Sequence, residues 1–303
     1  MKRFIYIILL FTVFTSCKKA LDETAYSTIY TQDFYKSAGD AEAAITAVYG
    51  NLYVMYSSGA PLFASDWSAD QTFPRSVVGR NTLPLFSYDP LYSVQLSFGR
   101  SNESPLEIWK RAYQGIESAN WVIDKVPAIA MDEARRNSIV GEAYFLRAFF
   151  HWMLAKNFGS IVVKTSPTNS IDAAFGKSQP IAKVYDQILS DLATAETLLP
   201  DYNAGFVKGR VSKQSAQLLY AKAALYNERW SEAFQKAQAV INAKTYSLVP
   251  SFVDLFTAAK KDLTRQEILF DVELNNTTNP IRQSQVHYFY APLGVSEYSK
   301  GGA

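Results

Sequence analysis

The chain has 303 residues, of which 30 are Lys or Arg and 28 are Asp or Glu, for a net charge of +2. So even a balance makes no polyelectrolyte surface and excludes nucleic acid as an expected partner. One cysteine leaves no internal disulfide to be formed, while 19 Tyr, 19 Phe and 5 Trp supply rings both for a core and for ligand contact.

Lys2 and Arg3 precede an apolar run from Phe4 to Phe14, and Thr15 and Ser16 stand before Cys17. That is the layout of a cleaved secretory signal over residues 1–16. A membrane-spanning helix needs about 20 apolar residues, more than this run provides before Lys18 and Lys19. The segment FTSC resembles the lipobox of bacterial lipoproteins, with Phe14 where Leu is usual, which implies that the Cys17 thiol takes a diacylglycerol. Each buried methylene contributes about 0.8 kcal/mol, so several acyl chains hold a protein at a membrane where one is marginal. Residues 17–37 then read as a polar, lipidated tether.

Helical periodicity begins at Ala41, with Ala44, Ile45, Val48, Leu52 and Met55 following at steps of three and four and Asp40 as the expected N-cap. From Tyr56 to Glu103 no period is sustained, and Gly, Pro, Ser and Asn are scattered among aromatics. A loop of this length inside a compact domain is more often functional than filler. The period returns from Pro105 to Pro127 through Ile108, Trp109, Ala112, Ile116, Ala119 and Ile123. A further helix carries Ile139, Ala143, Leu146, Phe150, Met153 and Leu154 to about Asn157, and others are expected over 181–199, 213–228 and 231–243. In the last two, Ala221, Ala224 and Ala233 permit close approach while Tyr226 and Trp230 are expected to fill the space at the turn, as in the tetratricopeptide helix–turn–helix. Residues 105–157 and 181–243 read as two such pairs, which must stack to bury both faces, so a solenoid-like helical core is expected. Farther on, Ile268, Phe270, Val272 and Leu274 alternate like a half-buried strand, and 276–303 reads as an irregular tail.

Several segments carry a family resemblance. They are CKKALDE, FYKSAGDAEAAITAVYGNLY, WKRAYQGIESANWVIDKVP, GEAYFLRAFFHWMLAKNFG, VYDQILSDLATAETLLP, GRVSKQSAQLLYAKAALYNERWSEAFQKAQAVINAKTYSLV and EILFDVELNN. In this order they are similar to the SusD/RagB outer-membrane lipoproteins of Bacteroidota, over nearly all of the chain up to about Asn275. The resemblance implies a mainly α protein over 38–275, with tetratricopeptide-like pairs in a right-handed solenoid-like core, long irregular loops and little strand. It also implies a lipid anchor in the outer membrane, exposure to the cell exterior, and a place over a TonB-dependent SusC-like transporter. There such a protein captures glycans for import without chemistry and without a cofactor. Members of the family are commonly longer, so the chain reads as a fragment or as a short member whose ligand site is completed elsewhere. Two alternatives stay open: a tetratricopeptide-type scaffold or lid with little ligand binding of its own, and a peptide in place of the glycan.

Other chemistry finds little support. Gly176-Lys177-Ser178 ends like a phosphate-binding loop, but Ile171 stands where the first glycine belongs. Two histidines and one cysteine make neither a metal set nor a nucleophile–base pair, and His151 reads as a packed core residue. Asp66 and Asp70 could flank a sugar as a hydrolase pair does, at roughly 5–10 Å, although spacing alone is weak support. Glu142 and Arg147 sit on a strongly apolar helix and are expected to form a buried polar network, because an unpaired charge there is costly. Sugar binding requires flat rings against the apolar faces of the pyranose and polar groups for its hydroxyls. The long loop offers Trp67, Phe73, Tyr88 and Tyr92 beside Asp66, Asp70, Arg75 and Asn81, and Trp67, set among polar residues, is the ring expected to be exposed.

Overall fold

The computed structural model describes residues 34–70, 72, 83–87, 105–203, 205–207, 209–260 and 263–274. The chain divides into two units, Met1–Lys36 and Ser37–Ala303, and only 34–36 are described in the first. The signal, Cys17, most of the tether, the tail 276–303, and Phe73, Arg75, Asn81, Tyr88 and Tyr92 lie outside the described residues.

Helix α1 (Ala38–Ser57) starts three residues earlier than the apolar period suggests. Ser37, rather than Asp40, is its N-cap: Ser37 Oγ accepts from the Asp40 N–H at 3.2 Å, and the Asp40 carboxylate accepts from the Ser37 N–H at 2.8 Å. The capping box satisfies two orphan donors at once. The region expected to be a continuous loop holds a short helix, α2 (Ala60–Asp66). Gly59 enters it at φ 82°, and a Cβ there would stand 2.5 Å from the Phe63 ring, so both backbone and packing require glycine.

Next come α3 (Pro105–Lys125), α4 (Glu133–Phe158), the single-turn α5 (Ile171–Ala174), α6 (Ile181–Leu198), α7 (Lys213–Tyr226) and α8 (Trp230–Ala243). The long helices stack in chain order, α1 on α3, α3 on α4, α4 on α6, α6 on α7 and α7 on α8. This is a mainly helical, tetratricopeptide-like fold. Helix α4 is its centre: from Ser138 to Ala155 nearly every side chain is buried, on all faces, as expected of a helix with neighbours on all sides.

Two expectations need correction. Ala221, Ala224 and Ala233 are buried where α7 meets α8, but Tyr226 and Trp230 are largely exposed. The Asn227–Arg229 turn closes tightly, with the Arg229 N–H donating to the Ala224 carbonyl at 2.9 Å, and leaves the rings no interior space. Residues 268–274 do not form a strand, and no strand occurs among the described residues beyond one isolated bridge between Ile161 and Gln179. The segment lies on helices instead, with Phe270 edge-on to Phe145 at 5.3 Å and the Leu269 carbonyl accepting from Ser215 Oγ at 2.6 Å.

The α3–α4 crossing depends on Gly115, where a Cβ would lie 2.2 Å from Phe150 Cε2. Gly115→Ala is expected to cost about 1–3 kcal/mol through overpacking. Gly50→Ala in α1, with no atom within 4 Å of the added Cβ, should stabilise by about 0.5–1 kcal/mol. Urea unfolding followed by circular dichroism checks both, and equal midpoints for the two variants would refute this reading of the crossing.

Candidate functional site

Of the sequence-predicted site residues, Asp66, Trp67 and Asp70 are described. Trp67 is only 4% exposed and stacks on Phe63 with ring centroids 4.3 Å apart and planes 11° apart, closing a small core with Leu83. The expectation of an exposed Trp67 is therefore wrong. Residues 63 and 67 share one face of α2 at a spacing of four, and its polar neighbours in SDWSAD flank that face rather than define it. Asp66 is half-buried at the end of α2, its carbonyl accepting from Thr72 Oγ1 at 2.6 Å, and Asp70 is exposed.

Among the described residues a larger concave surface lies elsewhere, between α3 and the irregular segment after α4. It is a groove of about 970 Å³ whose walls include Trp109, Tyr113, Gln114, Glu117, Lys164 and Phe175. Trp109 is 37% exposed and Phe175 78%. Trp109 is held edge-on to Phe158 at 5.1 Å and tilted against Tyr113 at 5.0 Å, so the ring keeps one orientation while part of it faces solvent. Exposed rings beside amide, ammonium and carboxylate groups are the combination that sugar recognition needs. A second, smaller cavity of about 310 Å³ adjoins Tyr202, Arg210, Tyr246 and residues 268–274.

One wall of the groove is irregular apart from the single-turn α5 and is held by side chains from the helices. Tyr113 Oη donates to the Val162 carbonyl at 2.9 Å, and the Glu117 carboxylate accepts from the Thr168 N–H and hydroxyl at 2.8 and 2.9 Å. Asn120 Nδ2 donates to the Ser166 carbonyl at 3.0 Å, and the Lys164 N–H donates to His151 Nε2 at 3.3 Å. Arg147 joins them from α4. Its Nε and Nη2 donate to the two oxygens of Asp191 on α6 at 2.8 and 2.6 Å, and Nη1 donates to Asn120 Oδ1 at 2.8 Å and to the Thr165 carbonyl at 2.9 Å. Burial pushes the Asp191 carboxyl up, against the pull of Arg147 and Gln187.

Glu142 belongs to a different cluster on the same helix. It accepts from Arg135 Nη1 and from Arg210 Nη1, each at 2.8 Å. Arg135 also forms a two-point pair with Glu42 of α1 at 2.5 and 2.8 Å, which holds the Glu42 carboxyl below its usual range. The Tyr49 hydroxyl is buried among them and accepts from the Val211 N–H at 3.2 Å. Burial first, and then the Glu142 charge, keep its proton on to well above the ordinary tyrosine range. Glu142 and Arg147 are thus both buried and paired, but with separate partners.

Among the described residues no three His, Cys, Asp or Glu come together as a metal site, and no helix is long and apolar enough to cross a membrane. The geometry defines a helical-repeat protein with an aromatic, polar-rimmed groove. The chain belongs to the SusD-like family: the family model described as starch-binding and associating with the outer membrane matches residues 19–225. Relatives include two SusD-like proteins of Formosa agariphila. P25 is 25% identical over 83% of this chain and 48% of its own length, and P2 is 28% identical over 84% and 49%. Among solved structures, a laminarin-binding SusD-like protein superimposes with a TM-score of 0.71 at 25% identity, covering 84% of this chain and 57% of its own. NanU of Bacteroides fragilis shares the fold, with a TM-score of 0.68 at 20% identity over 84% and 51% of the two chains. The chain spans about half the length of the curated relatives it matches.

Two expected outcomes follow from the wall and its anchors. Arg147→Met should cost about 3–5 kcal/mol, because it leaves Asp191 buried without a counter-charge and with only Gln187 as a side-chain donor, and adding Asp191→Leu should recover most of that. The double variant should still bind weakly in the groove, since the Thr165 carbonyl has lost its donor; full recovery of ligand affinity would show that Arg147 acts on stability alone. His151, fully buried, has its proton affinity lowered by burial and then by Arg147, to a pKa of about 3, whereas an unfolded histidine titrates near 6.5. Between these values the unfolded chain binds more protons, so this contribution is complete above about pH 6.5. It is lost on acidification toward pH 3, at no more than about 1.4 kcal/mol per pH unit. His151→Gln should flatten that part of the stability–pH profile, and an unchanged slope between pH 6 and 4 would exclude the histidine as its source.

Proposed function

We propose that the protein is a cell-surface glycan-binding lipoprotein, anchored in the outer membrane through Cys17, that passes captured oligo- or polysaccharide to a TonB-dependent SusC-like transporter. The observation that carries the reading is the family match over residues 19–225 together with the likeness to a laminarin-binding protein. The groove at Trp109 supports it with rings and hydrogen-bonding groups on one surface. Capture without cleavage requires no acid–base pair, and the bound sugar leaves unchanged. Residues 66–92, Asp66 and Asp70 among them, remain proposed contributors, with Trp67 as a support beneath them rather than a contact.

The exposed apolar face of α8 favours a second reading. Trp230, Phe234 and Ile241 are each about two-thirds exposed on one helix, and a contiguous patch of this kind marks an interaction surface. On that reading the chain serves chiefly as a scaffold or lid on the transporter, and a peptide is an alternative cargo.

Affinity electrophoresis of the purified chain against laminarin, starch and other neutral polysaccharides separates the readings, with polymer length measured in parallel. Retardation by a glycan without shortening is expected, and Trp109→Ala should weaken it about tenfold, the equivalent of about 1.4 kcal/mol from one stacked ring. Shortening of the polymer would overturn the non-catalytic reading. No retardation, with co-purification of a barrel protein that Phe234→Glu abolishes, would favour the scaffold.

A further inference from the structure

The C-terminal end of α4 carries a second cluster, facing α7 and separate from the groove. The Trp152 ring is buried there, and two ammonium groups approach it: Lys156 Nζ, one turn on along α4, at 5.0 Å from the ring centroid, and Lys222 Nζ of α7 at 5.2 Å. Among the described residues neither ammonium has a carboxylate or carbonyl partner, although Lys and carboxylate pairs occur elsewhere on the surface, as between Lys183 and Asp186. Burial lowers the proton affinity of Lys156, and the nearby charge of Lys222 lowers it further. The Trp152 Nε1–H is itself buried without an acceptor. Beside them Tyr226, 60% exposed, stands edge-on to Trp152 at 6.3 Å and 82°, with its ring open to solvent.

Two like charges within about 5 Å of one ring repel each other, and cation–π attraction offsets only part of that. A bound anion removes the repulsion. Ammonium groups act as point charges on flexible stems, suited to a single carboxylate or sulfate rather than to a planar two-point pairing. An exposed flat ring at their side suits the apolar face of a sugar.

We propose that Lys156, Lys222 and Tyr226 form a subsite for an acidic sugar, its carboxylate or sulfate ester lying between the ammonium groups and its ring on Tyr226. The proposal rests on the glycan-capture reading and extends the cargo to anionic saccharides, at a place distinct from the Trp109 groove.

The test measures binding of the purified chain to polygalacturonate, to dextran sulfate and to neutral laminarin, each at low and high salt. The acidic polymers are expected to bind more tightly at low salt, and the Lys156→Gln/Lys222→Gln double variant to lose at least tenfold for them while keeping its affinity for laminarin. A Lys213→Gln/Lys244→Gln variant with the same net charge should keep both. The two polymers separate carboxylate from sulfate recognition. Equal losses in the two double variants would mean non-specific attraction and overturn the subsite, as would laminarin binding without acidic-polymer binding. Lysine-dependent binding to vesicles containing anionic phospholipid, with no binding to either acidic polymer, would reassign the cluster to a lipid headgroup. Failure with every polysaccharide would remove the glycan-capture reading itself.

Discussion

The structure depends on the ion pair between Arg147 and Asp191. Both groups are almost fully removed from water, and their mutual attraction does not by itself repay that desolvation. What makes the arrangement tenable is that the guanidinium also meets Asn120 and the Thr165 carbonyl, so one side chain of α4 addresses α6, α3 and the irregular segment after α4. Remove it and Asp191 loses its counter-charge inside the core, while Asn120 Oδ1 and the Thr165 carbonyl each lose a donor. Glu142 does the same one and a half turns earlier, tying α4 to α1 and to the approach to α7 through Arg135 and Arg210. The apolar packing of α4 has no direction of its own; these two clusters specify which helices lie against which face.

The groove is a consequence of that specification. An irregular wall has no ladder of its own to set its position, yet it needs a defined place if rings on the opposite wall are to meet a ligand. Here its backbone groups are taken up by Tyr113, Glu117, Asn120, Arg147 and His151, all on the two helices beneath. The buried neutral imidazole fits the same scheme, since accepting from the Lys164 N–H requires an unprotonated Nε2. Stability and the shape of the groove are therefore coupled through polar contacts rather than through the apolar core.

The long helices were legible because each shows a sustained three-to-four period and ends at Pro, Gly or a capping residue. The SusD-like family was legible from motif order. Ser37 was missed as a cap because the apolar period starts at Ala41, although Ser-x-x-Asp ahead of it is a capping signal. Helix α2 was invisible because about two turns cannot establish a period, and Trp67 was misread because polar neighbours in sequence say nothing about a face set by residue 63. The groove was missed for a related reason: Trp109 looked like one more apolar position of α3. The signal that could have found it was present, in Glu117, Asn120, Arg147 and His151, polar groups on faces that are otherwise apolar. Such residues must find partners, and helices already satisfied internally leave only a neighbouring irregular segment to supply them.

The same reasoning separates the groove from the cluster at the end of α4. Near the wall, Tyr113, Glu117, Asn120 and Arg147 each have a partner within the chain, so the groups beside the groove are already oriented. At the α4–α7 junction Lys156, Lys222 and the Trp152 indole N–H are brought together without acceptors. The fold tolerates this because the lysine stems cover Trp152 while their charged ends reach toward water. Tyr226 meets Trp152 edge-on across this junction, and a single Gln at either lysine position would relieve the repulsion. Two ammonium groups beside one ring leave a place for a negative group arriving from outside, in a protein whose family model is described as starch-binding.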